Sequence, residues 1–173
     1  MRKGTAGLAL ALVLVGATAC GPLPDQGSAP SSASGSGAVT AAKVGQAVKV
    51  TGDDGATAEA TVLSVNASSK GQGDLAQAPA NGQYSVIDVE IKVTGGTFQV
   101  NPLYVRYQAA DGKTYDQNTG NSMTAGFSPE LTVGGVPSGQ STRGVVAIDT
   151  PAGQPKAIQL TNVLGDVIGA WQP

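Results

Sequence analysis

The most reactive side chain in this sequence belongs to its only cysteine, Cys20. A thiolate can act as a nucleophile, and the surroundings of the residue decide which reaction it undergoes. A single cysteine cannot form an internal disulfide, so no disulfide framework holds this fold. Cys20 follows the small residues Ala17-Thr18-Ala19, which suit a signal peptidase. The sequence therefore predicts that the thiol serves processing of the chain rather than catalysis.

The residues before Cys20 have the plan of a secretory signal peptide, which we place at residues 1–19. Arg2 and Lys3 supply the positive start, and an uncharged apolar run covers residues 8–15. A transmembrane helix needs about 20 predominantly apolar residues, and this run is shorter. A retained N-terminal anchor helix is the alternative.

The placement of Cys20 after Ala17-Thr18-Ala19 resembles the lipobox of bacterial, actinobacterial-type lipoproteins. The resemblance implies that diacylglycerol alkylates the thiol, that cleavage falls before Cys20, and that a fatty acid such as palmitate acylates the new amine. Two or more acyl chains are enough for stable anchoring. Lipoproteins usually carry Leu, Val or Ile where this chain has Ala17, so cleavage at Ala-x-Ala with release of the protein stays open. We expect a lipid-anchored protein on the extracytoplasmic face of the cell membrane, with membrane lipid as its partner through Cys20.

The remaining residue types exclude several classes of enzyme. The chain has no histidine, which removes Ser-His-Asp triads and the commonest transition-metal ligand. It also has no phosphate-binding Gly-x-x-x-x-Gly-Lys-Ser/Thr loop, no Gly-x-Gly-x-x-Gly motif and no Ser-x-x-Lys run. We therefore expect no catalytic residues, no cofactor and no enzymatic activity; a hydrolase with unusual residues is the alternative.

Acidic residues cluster in two turn-like stretches that could bind a hard cation. One holds Asp53-Asp54, and the other holds Asp111, Asp116 and Asn118. Calcium takes six to eight oxygen ligands, and neither stretch has EF-hand spacing. Aspartate and asparagine also accept backbone hydrogen bonds in ordinary turns. We expect turn chemistry and no metal site, with Asp111 and Asp116 as the metal candidates to check.

Charge and composition indicate one folded domain that is preceded by a flexible linker. Removal of Arg2 and Lys3 with the leader leaves eight basic against twelve acidic residues, a net charge of −4. No basic patch runs along the chain, so we expect no nucleic acid partner. Residues 20–42 combine Cys20 with a Gly/Ser/Pro-rich segment that is too poor in large apolar residues to fold. As a flexible linker it would reach roughly 25 Å.

From residue 43 to 173 the pattern predicts short strands separated by turns. Residues 83–94 alternate strictly, with apolar residues on one face and Asp88, Glu90 and Lys92 on the other, which indicates a strand with one solvated face. Val44, Val48 and Val50 lead into a turn, and further strands are predicted around residues 57–65, 98–110 (irregular at Pro102), 114–115, 131–133, 142–150, 156–163 and 166–171. Seven or eight strands without a helix favour an all-β fold, an antiparallel β-sandwich.

The order of three segments, residues 83–94, 111–115 and 137–151, resembles a family of immunoglobulin-like domains of unknown function in secreted proteins and lipoproteins of Gram-positive bacteria. A mycobacterial secreted immunoprotective antigen has a similar sandwich. The resemblance covers roughly residues 44–172 and implies an immunoglobulin-like β-sandwich outside the cytoplasm. It implies no catalytic site.

Four residues form a possible binding face: Tyr104, Arg106, Gln108 and Trp171. Tyr104, Arg106 and Gln108 share one face of a predicted strand, which an ordinary sandwich exterior would also show. Trp171 either packs against the sandwich and holds the last strand or is exposed as an anchor for a partner. We expect a non-enzymatic binding or structural module whose partner is an unknown envelope protein or ligand. The alternative is a small-ligand or metal-ion binding accessory protein of a transporter.

Overall fold

The computed structural model of the protein describes residues 39–173. The predicted signal peptide, Cys20 and the predicted linker up to residue 38 lie outside the described residues. The linker was predicted to extend to residue 42, but Ala42 already belongs to the first strand.

Eleven strands and two short 3-10 helices make up the described chain. The strands are β1 (Ala42–Lys43), β2 (Ala47–Thr51), β3 (Thr57–Ser68), β4 (Gln83–Gly95), β5 (Thr97–Val100), β6 (Val105–Gln108), β7 (Thr114–Tyr115), β8 (Gly134–Pro137), β9 (Ser141–Thr150), β10 (Ala157–Thr161) and β11 (Val167–Gln172). The 3-10 helices are Pro102–Tyr104 and Ser122–Thr124. Within residues 39–173, no helix has the length and hydropathy that crossing a membrane requires.

The strands form two main sheets that pack face to face, and a small third one. One main sheet has the order β1-β11-β10-β6-β7, the other has the order β2-β3-β4-β9, and β5 pairs with β8. All pairs are antiparallel except β1 with β11, where Ala42 lies beside Trp171. The expected β-sandwich is confirmed, with eleven strands rather than seven or eight because several connecting segments form strands of two to four residues.

The core lies between the two main sheets. Strand β4 supplies Ile87, Val89, Ile91 and Val93, all buried, while the alternate residues face outward. Tyr107 and Ile158, both buried, belong to the same core cluster from the opposite sheet. The alternation read in residues 83–94 thus corresponds to the buried and exposed faces of a central strand.

The predicted strand at residues 131–133 is wrong. Hydrogen bonds from the Leu131 amide to the Val145 carbonyl oxygen (3.0 Å) and from the Val145 amide to the Pro129 carbonyl oxygen (2.8 Å) hold this segment against β9. The strand forms next to it, at β8. Gly135 there lies so close to β5 that an added Cβ would come within 2.8 Å of Thr97 Cγ2, so the pairing of β8 with β5 requires a glycine at this position.

Candidate binding groove

An open groove lies at one end of the sandwich, and we call it the end groove. Its volume is about 270 Å³. It is lined by the turn residues Gly52, Asp53 and Asp54, by Phe98, Gln99, Val100, Asn101 and Tyr104, and by Val133, Thr161, Asn162, Val163 and Ile168. Residues from five separate parts of the chain therefore meet there, which is typical of a binding site built on connecting segments.

One wall of the end groove is fastened by Asp53. Its Oδ1 accepts a hydrogen bond from Asn162 Nδ2 at 2.6 Å, and its Oδ2 accepts one from the Val163 backbone amide at 3.1 Å. The neighbouring Asp54 Oδ1 accepts from the Ala56 amide at 3.0 Å, which closes the turn after β2. The turn between β2 and β3 is thereby joined to the turn between β10 and β11.

The opposite wall is a corner between β5 and β6. Asn101 begins the 3-10 helix because its side-chain Oδ1 accepts from the Leu103 amide at 3.0 Å. Pro102 at the first helical position has no amide hydrogen to leave unpaired there. The corner brings Tyr104 to the groove, and Thr161 Oγ1 donates to the Tyr104 carbonyl oxygen at 3.3 Å, so the corner is also attached to β10.

Exposed apolar side chains stand at the rim of the end groove. Val133 is 71% exposed and Val163 is 63% exposed, although both are large aliphatic residues. Leu164, next to Val163, is also exposed. Neither Asp53 nor Asp54 forms an ion pair within residues 39–173, and no lysine or arginine lines the groove. The site is therefore apolar and negatively charged.

The structure separates the four residues of the predicted binding face. Tyr104 lines the end groove. Arg106 and Gln108 lie on the outer face of β6, since Val105 and Tyr107, which alternate with them, are buried. Trp171 is only 1% exposed, and its Nε1 donates to the Gln46 carbonyl oxygen at 2.9 Å. Its ring packs in the core and offers no surface to a partner, which corrects its place in that face.

The aspartates considered as metal ligands accept hydrogen bonds from their own turns. Asp111 Oδ1 accepts from the Lys113 amide, and Asp116 Oδ1 accepts from the Asn118 amide, each at 3.0 Å. No three carboxylate, histidine or cysteine side chains converge among residues 39–173. On β4, Asp88 receives two hydrogen bonds from Arg143, at 3.1 and 2.7 Å. This bonding, and then the negative charge of Asp88, raises the pKa of the Arg143 guanidinium.

Asp149, which the sequence analysis did not single out, organises the loops at another part of the sandwich. Its side chain is fully buried. The carboxylate accepts hydrogen bonds from the backbone amides of Ala80, Asn81 and Asn121, at 2.6, 2.9 and 2.9 Å. The Asp149 amide donates to Ser122 Oγ at 2.7 Å. One aspartate thus fixes both long loops to β9.

Tyr84 lies beside Asp149 in the pairing of β4 with β9 and is also fully buried. Its hydroxyl donates to the carbonyl oxygens of Gln77 and Asn121, at 3.0 and 3.2 Å. Burial raises the pKa of Tyr84, and the negative charge of Asp149 raises it further. One feature of the sequence indicates that Asp149 could be buried. The unbroken apolar run at residues 145–148, directly before it, is typical of a strand buried on both faces.

Comparison with known proteins places this sandwich among related domains. The family model described as "Domain of unknown function (DUF4352)" matches residues 42–167. The crystal structure of MPT63, a secreted protein from Mycobacterium tuberculosis, is similar in fold, with a TM-score of 0.61 and 18% sequence identity. The similarity covers 78% of this chain and 98% of MPT63. No curated protein sequence matches the chain. At this identity the comparison with MPT63 concerns the fold alone.

Proposed function

The chain belongs to the DUF4352 family, a domain of unknown function, and on that premise we propose that it is a non-enzymatic binding module anchored at the extracytoplasmic face of the cell membrane. The observation that carries the binding role is the end groove. Exposed valines and two carboxylates without an ion-pair partner among residues 39–173 meet there on segments that the two sheets hold in place. Exposed apolar side chains gathered at a concave site are typical of an interaction surface.

The non-enzymatic part of the proposal rests on the residue types available. The chain has no histidine, and its only thiol is Cys20, which the lipobox resemblance assigns to lipid attachment. In the end groove, the Asp53 carboxylate already accepts two hydrogen bonds. Among the described residues that line the groove, no nucleophile is hydrogen-bonded to a base.

The extracytoplasmic address rests on the leader and on the kind of protein that shares the fold. Residues 1–19 have the plan of a signal peptide, and MPT63 is a secreted protein. The proposal of a lipid anchor depends on the position of Cys20 after small residues. Ala17 does not add to it, because lipoproteins usually carry Leu, Val or Ile at that position.

The anchor is tested by replacing Cys20 with alanine. We expect the wild type in the membrane fraction, labelled by a palmitate analogue, and Cys20→Ala unlabelled and in the culture medium. A Ser69→Ala variant is the control, because Ser69 is exposed, the cysteine stays in place and the protein should stay on the membrane. Membrane retention of Cys20→Ala would contradict the lipoprotein assignment.

The binding role is tested by chemical crosslinking in intact cells. Lysine at Val133 or Val163 places a charged chain at the rim of the end groove, and both residues are exposed enough to accept it. We expect both variants to lose the crosslinked species that the wild type forms. Leu75, 94% exposed and outside the groove, supplies the matched control, and Leu75→Lys should retain that species. Equal crosslinking by all variants would exclude the groove as the binding site.

A second candidate is a small-ligand accessory protein of a transporter, which the concave, largely apolar shape of the same groove favours. In that case, the rim variants would reduce uptake of a small solute by intact cells without changing any crosslinked species.

A further inference from the structure

We propose that the end groove binds an extended, basic segment of polypeptide, which adds as a strand to the free edge of β5. This inference rests on the binding function proposed above and specifies its ligand.

The shape of the groove indicates an extended ligand beside a strand edge. Successive side chains of a strand point to opposite faces, so a groove over a sheet face is lined by alternate residues. Residues 98–101 all line the end groove, one after another. The groove therefore runs along the edge of β5 and past its last residue.

That edge of β5 has no strand beside it within the described residues. The small sheet contains only β5 and β8, with Phe98 beside Val136 and Val100 beside Gly134. The groove is lined both by Val133, which directly precedes β8, and by Gly52, Asp53 and Asp54, which lead into β3. Since β3 and β9 lie on opposite sides of β4, the groove crosses the end of β5 and reaches its edge away from β8. An unpaired strand edge is a template for an added strand, whose backbone hydrogen bonds supply affinity and whose alternate side chains supply specificity.

The charge of the groove indicates which side chains the added strand carries. Asp53 and Asp54 line it, and neither is ion-paired within residues 39–173. Arg106 reaches toward Gly165 in the adjoining turn, but it does not line the groove. A segment with lysine or arginine opposite the two aspartates would be electrostatically complementary. Apolar side chains between its basic residues would contact Val133 and Val163.

A neighbouring groove favours a polypeptide over a compact small molecule. This second groove adjoins the end groove on the other side of Val133 and Asn101, so a ligand that runs past these residues gains further contacts, as a chain can and a compact molecule cannot.

The test selects short random peptides displayed on phage against the full processed chain, purified from membranes in detergent. We expect enriched peptides to alternate lysine or arginine with valine, isoleucine or leucine. A synthetic copy should bind at least about tenfold more weakly to Val133→Lys and Val163→Lys. Leu75→Lys should bind as the wild type does, and circular dichroism should confirm that all variants are folded.

A second measurement tests the backbone pairing. Methylation of alternate amide nitrogens of the synthetic peptide removes the donors that would pair with β5, and we expect binding to fall by about tenfold or more. Methylation of the intervening amides should have a smaller effect. Absence of enriched peptides, enrichment of acidic ones, or equal binding after either methylation would overturn the proposal. If intact cells still show groove-dependent crosslinking, the binding function stands and only strand addition fails; if that crosslinking is also absent, both fail.

Discussion

Two aspartates, Asp53 and Asp149, fasten loops by accepting backbone hydrogen bonds, and their surroundings give them different importance. Asp149 is fully buried and accepts from three amides, whereas Asp53 is exposed and accepts from one amide and one side chain. A buried donor left without a partner costs about 1–3 kcal/mol. Removing the Asp149 carboxylate should therefore destabilise the whole fold, whereas removing the Asp53 carboxylate should loosen a single turn.

Asp149→Asn tests the role of the buried carboxylate. One acceptor oxygen becomes an NH₂ group that faces backbone amides, so at least one amide loses its partner. We expect the free energy of unfolding to fall by about 2–3 kcal/mol, measured by urea denaturation. Asp88→Asn, on the outer face of β4, should cost less than about 1 kcal/mol. Equal losses in the two variants would refute the assigned role.

Gly120→Ala tests the packing around the same carboxylate. Gly120 has a φ of +52°, and a Cβ there would overlap the Asp149 side chain. We expect a loss of stability of at least about 1–2 kcal/mol. Gly112→Ala is the control, because Gly112 also has a positive φ but open space around it. Gly112→Ala should lower the free energy of unfolding less than Gly120→Ala does. A larger loss for Gly112→Ala would contradict the close packing of Gly120 against Asp149.

Tyr84 makes stability depend on alkaline pH. Its pKa in the folded protein is raised by burial and by Asp149, so as pH rises the unfolded chain loses this proton first. The stability that neutral Tyr84 contributes is fully present below the pKa of tyrosine in the unfolded chain, about 10. It is lost as the pH rises through the pKa of Tyr84 in the folded protein. Tyr84→Phe should cost about 1–2 kcal/mol at pH 7 and weaken the decline in unfolding free energy above pH 10. An unchanged alkaline decline would contradict this.

At the scale of elements, the end groove depends on two turns that are far apart in sequence. The turn after β2 and the turn after β10 are joined through Asp53, Asn162 and Val163. The sequence predicted the turn after β2 and the strands β3, β10 and β11, because alternation and turn residues are local signals. It placed Asn162 and Val163 in the strand predicted at residues 156–163, whereas β10 ends at Thr161. It did not predict the contact between the two turns or the exposure of Val133 and Val163, because these follow from which strands become neighbours across the sandwich.

Asp53→Ala should loosen the turn between β10 and β11 without unfolding the sandwich. The Val163 amide loses its acceptor, so its hydrogen exchange should accelerate by about tenfold, equivalent to about 1.4 kcal/mol. Amides of β4 should exchange as in the wild type. Acceleration throughout the protein would show instead that this contact supports the global fold.

For the whole molecule, sequence reasoning predicted the β-sandwich and the family resemblance better than the site. The strict alternation of β4 and the regular turns identify the architecture. Of the four residues of the predicted binding face, only Tyr104 lines the end groove, and Trp171 is buried. A tryptophan near the end of a chain has the same sequence signal whether it packs or protrudes. The tertiary structure decides the outcome here, because the ring joins the core cluster and its nitrogen donates to the Gln46 carbonyl oxygen.

In the proposed function, the domain contacts its partner through the end groove. The most direct measurement places a photocrosslinking amino acid at single exposed positions in intact cells: at Gln99, Val133 and Val163 around the groove, and at Leu75 and Lys113 away from it. We predict that the three groove positions yield the same crosslinked species and that the two distant positions do not. Crosslinks of equal yield from all five positions, or from the distant positions alone, would contradict the claim.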